Sequence, residues 1–319
     1  MSQCQSAISV VVPVFNSREI LTSLYRRISS VLASNWSDYE IIFIDDCSTD
    51  DVWLVICELC ESDHHVVGVR LHKNVGYDRA LMFGLQHTTS AAVVIMDDDL
   101  QHAPEDIPSL VIELEKGYDI VYAQFNRKRY GVAKRLGSRI NNKLAEILIN
   151  KPKGLYLSPF KVVTKELIDL IANERTMFPY MDGLFLQVTA SISHITVDHH
   201  PRKSGTGNYG FFKSLTIALN FLTGYSILPL RIITYTGVIL ATLSAISSLI
   251  LMSWALTDAI EVAGWASTIL LILFLGGIQI AGLGVLGEYM GRTYLSVSSR
   301  PTNVLQSVHR NSQSPNDSA

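Results

Sequence analysis

Two long stretches without a charged residue constrain this chain more than any other feature of its sequence. Ile232 to Trp254 and Ala263 to Leu286 each contain no Asp, Glu, Lys or Arg. At a rise of 1.5 Å per residue, a helix over the first stretch is roughly 34 Å long, which is enough to cross a bilayer. Both stretches are too long and too uniformly apolar for buried core helices. The sequence therefore predicts two transmembrane helices within residues 229–291.

The charges around these stretches predict their orientation. Asp258 and Glu261 lie between them, and cations lie outside them on both sides: Lys213, Arg231, Arg292, Arg300 and Arg310. By the positive-inside rule, the regions before and after the spans are cytoplasmic, so we expect a multi-pass protein of the inner (cytoplasmic) membrane. The formal net charge of −3 offers no basic field for a nucleic acid, and no nucleic-acid partner is expected.

The segments on either side of the spans differ in character. Residues 209–228 place apolar side chains at helical spacing, which predicts an amphipathic helix in the membrane interface; a buried amphipathic helix of the soluble domain is the alternative. Residues 292–319 form a cytoplasmic tail that we expect to be partly disordered, because its end is rich in Ser, Asn and Pro.

Residues 1–208 alternate short β-branched runs with helical patterns, which predicts a Rossmann-like α/β domain with a mostly parallel sheet. The predicted strands are Ile8 to Pro13, Tyr39 to Ile44, Val66 to Leu71, Ala92 to Met96 and Ile120 to Ala123. Ligands bind beyond the carboxyl ends of such strands. Polar residues stand at four of these ends: Asn16, Asp45 and Asp46, Asn74 and Gly76, and Asp97 to Asp99.

The acidic run that follows the fourth strand is the sharpest of these features. In an extended segment, side chains two apart point the same way, so Asp97 and Asp99 face one cation and Gln101 can add an oxygen ligand. Oxygen ligands suit Mg²⁺ or Mn²⁺, and such ions bind substrate phosphates as well. An acidic surface turn is the alternative.

Two basic clusters are candidates for holding phosphate. Arg127, Lys134 and Arg135 follow the fifth strand, and Arg202 precedes the predicted interface helix. Arginine binds phosphate with a bidentate fork. A solvated face, or attraction to anionic lipid headgroups, would also account for either cluster.

The motifs together resemble those of the family 2 glycosyltransferases, specifically the polyprenyl-phosphate glycosyltransferases. The resemblance covers nearly the whole chain and rests on V-V-P-V-F-N at 11–16, I-D-D-C-S-T-D at 44–50, N-V-G at 74–76, D-D-D-L-Q-H-A-P-E-D at 97–106 and L-G-E-Y-M-G-R-T-Y at 286–294. It implies a GT-A fold and an inverting, metal-dependent transfer. The sugar would pass from a nucleotide-sugar donor to a polyprenyl (undecaprenyl) phosphate, for a cell-envelope glycan.

The resemblance also implies roles for single residues. Pro13, Phe15 and Asp46 match positions that contact the nucleotide base. The metal positions correspond to Asp97, Asp99 and Gln101, and the phosphate-binding positions to Lys134, Arg135 and Arg202. We add Asn16, Asn74 and Gly76 to the nucleotide-sugar site, because they stand at the same strand ends.

The chain departs from the family pattern near the acceptor. Residues 155–161 lack the Asp that many members carry there, so Asp182 is our candidate for a catalytic base; a structural Asp at a helix start or turn is the alternative. A processive polysaccharide synthase would carry an Arg-Trp pair, which this sequence lacks. A non-catalytic membrane scaffold or transport partner, and a transferase acting on another membrane-associated glycan, remain open.

Small residues in the second span predict self-association. Gly277 and Ala281 are four apart, as are Gly287 and Gly291, and this spacing lets two helices approach closely. The alternative is that these residues pack against the first span of the same chain. A homo-oligomer is therefore one of the expected partners, beside the donor, the lipid acceptor and the membrane.

Overall fold

The structure is a computed structural model of the 319-residue chain. It describes residues 7–125, 151–152, 154–172, 180–197, 228–255, 265–297 and 304–311. The chain divides into two compact units: one consists of Met1–Asn208 and Pro301–Ala319, and the other is Tyr209–Arg300. The C-terminal residues therefore belong to the same unit as the N-terminal domain.

The first unit is built on one eight-stranded sheet. Its strands are β1 (Ile8–Val14), β2 (Tyr39–Asp45), β3 (Val66–Leu71), β4 (Ala92–Ile95), β5 (Ile120–Phe125), β6 (Lys161–Thr164), β7 (Ile192–Val197) and β8 (Leu305–Arg310). The strand order is β7-β5-β6-β4-β1-β2-β3-β8. β4, β1, β2 and β3 are mutually parallel, and β6 and β8 run antiparallel to their neighbours. The predicted mostly parallel α/β sheet is confirmed.

Helices follow the strands of this unit. They are α1 (Arg18–Asn35), α2 (Val52–Ser62), α3 (Tyr77–Leu85), α4 (Ile107–Leu114), α5 (Lys165–Ala172) and α6 (Met181–Val188), with a 3-10 turn at Pro104–Asp106 before α4. Ser17 stands at the N-cap of α1, but its side chain makes no cap hydrogen bond. The hydroxyl instead donates to Asp98.

The core lies on both faces of the central strands. Alternate residues of β1 point to opposite faces, so Val10 and Val12 join one buried cluster and Val11 joins the other. On the first face, α1 contributes buried side chains at helical spacing: Leu21, Leu24, Ile28 and Leu32. These two layers hold the carboxyl ends of β1 to β4 in place, and the polar residues identified above lie at those ends.

The strand β8 was not predicted. Residues 292–319 were predicted to form a tail, but the last helix continues to Val297, and Leu305–Arg310 pairs antiparallel with β3 at the edge of the sheet. The Ser-, Asn- and Pro-rich end after Asn311 lies outside the described residues.

The second unit contributes two helices, α7 (Leu228–Ala255) and α8 (Trp265–Val297), which cover most of the two predicted spans. They contact each other where Gly282 faces Ile233: a Cβ built on the glycine would lie 3.2 Å from the isoleucine side chain. Among the described residues, no helix meets the length and hydropathy required of a membrane span. The predicted interface helix at 209–228 falls almost entirely outside the described residues.

Candidate active site

The candidate site lies in the loops that leave the carboxyl ends of β1, β2, β3 and β4. These loops hold unusual backbone conformations. Among the described residues, those other than glycine with positive φ are Asn16 (54°), Cys47 (58°), Asp51 (57°) and Leu100 (60°). Such conformations are unfavourable for most residues and concentrate at functional sites. All four lie after β1, β2 or β4, which agrees with a site at this edge of the sheet.

Asp97 and Asp99 lie side by side after β4, as their spacing predicts. Their carboxylate oxygens and a ring nitrogen of His102 all lie within 4.8 Å of one another. The turn at Leu100, whose side chain is buried, brings His102 back to the strand end. The two carboxylates at this separation suit Mg²⁺ or Mn²⁺, which prefer oxygen ligands, and the imidazole lies beside them.

His102 was not identified as a site residue from the sequence, although it belongs to the D-D-D-L-Q-H motif. Its side chain is buried and its ring stacks on Phe160, with the centroids 5.2 Å apart. Nδ1 accepts a hydrogen bond from the Asp97 backbone N–H at 3.2 Å. This contact stabilises the turn of residues 97–102.

Gln101 lies against Asp99. Its backbone N–H donates to Asp99 Oδ1 at 3.1 Å, and its amide Nε2 donates to Asp99 Oδ2 at 2.8 Å. Gln101 therefore fixes the orientation of the Asp99 carboxylate. Its predicted role as a metal ligand stays a prediction.

Asp98, the middle acid, has a different role from its neighbours. Its Oδ2 accepts hydrogen bonds from the Phe15 backbone N–H at 3.3 Å and from the Ser17 hydroxyl. Burial, together with the charges of Asp97 and Asp99, raises the pKa of Asp98 to about 6. Asp98 thus joins the end of β4 to the end of β1.

The loop after β1 carries two predicted nucleotide-binding residues. The ring of Phe15 is 49% exposed and available for stacking. Asn16 Oδ1 accepts from the Thr49 backbone N–H at 2.8 Å, which connects the loops after β1 and β2. Pro13, also predicted to contact the nucleotide, is buried within β1.

Asp46 joins the end of β2 to the loop after β3. Its two oxygens accept the backbone N–H groups of Val75 at 2.8 Å and Gly76 at 2.9 Å. Gly76 holds a φ of 86°, which favours glycine, whereas Asn74 is exposed beside it. Burial raises the pKa of Asp46. The predicted nucleotide residues Asp46, Asn74 and Gly76 therefore lie together, and the carboxylate of Asp46 holds the loop in shape.

Asp182 lies in the first turn of α6, beside a buried lysine. Lys161 Nζ contacts Asp182 Oδ1, and that oxygen also accepts from the Tyr122 hydroxyl at 2.9 Å. The side chain of Lys161 is 2% exposed and that of Asp182 is 13% exposed. The nearby carboxylate of Asp78 accepts the backbone N–H of Met181, and burial raises its pKa to about 6.

Tyr77 connects this cluster to the acidic turn. Asp97 and Asp182 both lie close enough to Tyr77 to act on the pKa of its hydroxyl. Burial and these two acids raise the pKa of Tyr77 well above its usual value. The structure therefore brings Asp182 and the Asp97–Asp99 pair to one site. No pattern in the sequence identifies Tyr77 or Lys161, because their roles depend on the packing of α3 and β6.

The predicted phosphate-binding residues Arg127, Lys134, Arg135 and Arg202 lie outside the described residues. The described part of the site is consequently dominated by carboxylates, with Lys161 as the buried cation among them.

Comparison with known proteins shows the family of this chain. A family model described as glycosyl transferase family 2 matches residues 9–169. An uncharacterized glycosyltransferase of Synechocystis sp. is 34% identical over 302 residues, which are 92% of this chain and 93% of that protein. The undecaprenyl-phosphate 4-deoxy-4-formamido-L-arabinose transferase of Klebsiella pneumoniae subsp. pneumoniae is 32% identical over 95% of this chain and 94% of its own length.

Among solved structures, glucosyl-3-phosphoglycerate synthase from Mycobacterium tuberculosis, in complex with Mn²⁺, uridine diphosphate and phosphoglyceric acid, matches with a TM-score of 0.48 at 20% identity. The match covers 68% of this chain and 76% of that one.

Proposed function

Because the chain belongs to glycosyl transferase family 2, we propose that it transfers a sugar, with inversion, from a nucleotide-sugar donor to a polyprenyl phosphate. The observation that carries this proposal is the near full-length likeness to the undecaprenyl-phosphate transferase of Klebsiella pneumoniae. The product would be a lipid-linked sugar for a cell-envelope glycan.

The donor nucleotide is proposed to bind over the loops after β1, β2 and β3. The exposed ring of Phe15 supplies a flat apolar surface suited to a base. Asn16, Asp46 and the loop of Asn74 and Gly76 surround the same edge of the sheet, with Asp46 holding two of that loop's N–H groups. This arrangement supports a nucleotide site next to the acidic turn.

Asp97 and Asp99 are proposed to hold Mg²⁺ or Mn²⁺, with the His102 ring nitrogen within reach. The bound ion would neutralise charge on the leaving nucleoside diphosphate. Gln101 orients Asp99 for this task, and His102 holds the Asp97 backbone. Arg127, Lys134, Arg135 and Arg202 are proposed to bind the donor diphosphate and the acceptor phosphate.

The chemistry of the acceptor decides whether the site needs a catalytic base. A polyprenyl phosphate is already an anionic nucleophile, so its attack on the sugar does not depend on proton removal. Asp182 Oδ1 accepts hydrogen bonds from Lys161 Nζ and the Tyr122 hydroxyl. These contacts fit a carboxylate that holds neighbouring side chains in place. The proposed reaction therefore does not require Asp182 as a base. An Asp182→Asn variant that keeps most of the wild-type turnover would exclude that role.

We also propose that α7 and α8 cross the inner membrane and that the first unit is cytoplasmic. The pairing of β8 with β3 supports an even number of crossings between residues 197 and 304, because both ends of that segment belong to one sheet. Two uncharged stretches meet this requirement.

Self-association through α8 is proposed on the spacing of its small residues. Among the described residues, a Cβ built at Gly287 or Gly291 would meet no heavy atom within 4 Å, so this face is not packed against α7. Light scattering of the detergent-solubilised chain tests the proposal: a strictly monomeric particle that transfers sugar would contradict it.

The function itself is tested by a donor screen. Purified protein, undecaprenyl phosphate and Mg²⁺ or Mn²⁺ are incubated with radiolabelled nucleotide sugars one at a time, and the lipid is extracted. We expect label in the lipid fraction with one donor class. Label that enters another glycan, or no transfer with any donor, would favour the alternative acceptor or the scaffold.

A further inference from the structure

We propose that the C-terminal strand β8 is a positioning element of the donor site. It holds the loop of residues 72–76, whose N–H groups bind Asp46, in the conformation that receives the nucleotide. This inference rests on the proposed function only in naming the nucleotide as that loop's ligand.

The contact between β8 and the loop begins where β3 ends. The two strands pair from Val67↔Arg310 to Leu71↔Leu305, and the register shifts between Arg70 and Leu71. Beyond the shift, the His72 backbone N–H donates to the Val304 carbonyl at 2.8 Å. The first residue after β3 is thus anchored by the residue just before β8.

Val304 is also held by packing. It is 7% exposed and lies in the buried cluster that contains Leu71 and Val69 of β3, with Val75 of the loop packed against the same cluster. By contrast, Val308 on the same strand is 37% exposed. Val304 therefore packs in the core just before β8, whereas Val308 within the strand faces solvent.

The anchored residue contacts the nucleotide loops directly. The His72 carbonyl accepts from Cys47 Sγ at 3.6 Å, in the turn after β2. Three residues later, the Val75 and Gly76 N–H groups bind Asp46 in the same turn. Two separate contacts thus connect the β2 turn to a loop whose start is fixed by β8.

A second connection runs through β3 itself. Arg70, which pairs with Ser307, lies 3.4 Å from Asp45 Oδ2 through its Nε and covers the Trp53 ring at 5.5 Å from the centroid. Asp45 in turn accepts the Ser48 N–H at 2.8 Å. Asp45 is therefore supported by the part of β3 that β8 covers, and Asp46 by the loop that follows β3.

Loss of β8 would turn β3 into an edge strand with unpaired backbone groups. The 72–76 loop would keep its sequence but lose its anchor at His72, so donor binding would have to order the loop first, which lowers affinity. Acceptor affinity depends on other residues and should change little. Because only residues 298–303 separate α8 from Val304, the donor site is also joined by a short connection to the second unit.

The test compares matched variants of the full chain. Val304→Ala removes buried methyl groups, and Val308→Ala removes the same atoms from an exposed position. Deletion of residues 304–319 removes β8, and deletion of 312–319 spares it. Hydrogen exchange of peptides covering residues 72–76 reports on the loop without any ligand. Calorimetric titration with UDP, GDP, ADP and CDP in the presence of Mn²⁺ reports on the donor site.

We expect faster exchange at 72–76 and about tenfold weaker binding of the preferred nucleotide in Val304→Ala and in the 304–319 deletion, a change of about 1.4 kcal/mol. Val308→Ala and the 312–319 deletion should match wild type within about twofold. Wild-type exchange at 72–76 in Val304→Ala, with only a lower melting temperature, would show that β8 merely stabilises the fold and would overturn the inference. If no nucleotide binds to wild type, the proposed function fails, while the exchange data still decide the role of β8.

Discussion

Replacing Lys161 by Met should destabilise the first unit strongly, because it leaves buried acids without their cation. Lys161 is 2% exposed, and its Nζ contacts Asp182 Oδ1 while lying 5.4 Å from the centre of the Tyr122 ring. Removing one partner of a buried ion pair costs about 3–5 kcal/mol. At about 2–4 °C per kcal/mol for a domain of this size, the melting temperature should fall by about 6–20 °C.

The double variant Lys161→Met/Asp182→Asn separates lost packing from unpaired charge. Asparagine keeps an oxygen that can accept from Tyr122, and it removes the stranded carboxylate. The double variant should therefore recover at least about half of the lost melting temperature, since replacing both partners is often nearly neutral. Lys165→Met is the control, because its partner Asp169 is exposed to solvent and the pair should contribute less than about 1 kcal/mol.

Thermal unfolding of the detergent-solubilised variants, followed by intrinsic fluorescence, measures these differences. A Lys161→Met protein that melts within about 2 °C of wild type would refute the reasoning, since that is less than about 1 kcal/mol. A double variant as unstable as the single one would show that the lysine acts through packing.

Two further predictions concern charge and topology. Burial raises the pKa of Asp78 to about 6 in the folded state, so its ionised form destabilises the fold, and stability should fall as the pH rises from about 4 to about 6. Asp78→Asn should therefore melt above wild type at pH 8 and close to it at pH 4; equal melting at pH 8 would contradict the burial of that charge. Reporter fusions at Ala259 and Ala319 should report opposite compartments, and matching signals would exclude the two-span topology.

Local patterns predicted the first five strands of the sheet well, whereas β6, β7 and β8 were not predicted. The range Val66 to Leu71 was predicted as observed, and β1 and β2 were each predicted within one residue of their observed ends. Continuous β-branched runs bounded by polar turns carry this information in the sequence.

The strand β8 could not be predicted in the same way. Its sequence, Leu-Gln-Ser-Val-His-Arg, has no apolar run, and most of its residues are exposed. It exists because β3 offers an unpaired edge far away in the sequence, and sequence periodicity does not record such a partner.

In the site, too, contacts within one segment were predicted, and contacts between distant segments were not. The approach of Asp97 to Asp99 follows from their spacing along one segment and was predicted. Lys161 and Asp182 meet because β6 pairs with β4, which sets Lys161 opposite Ile95, and because α6 packs nearby. Ser17 depends on tertiary contacts in the same way: serine at a helix start commonly caps the helix, but here its hydroxyl donates to Asp98 instead.

The measurement that tests the central claim most directly is the mass spectrum of the lipid fraction after reaction with undecaprenyl phosphate, for wild type and Asp99→Asn side by side. Wild type should convert the lipid to its glycosylated form when Mg²⁺ or Mn²⁺ is present and should lose this activity with a chelator. Asp99→Asn should be folded yet at least about 100-fold slower, since one charged metal ligand is gone. Near-normal glycosylation by the purified variant, or by wild type without a divalent ion, would contradict the account.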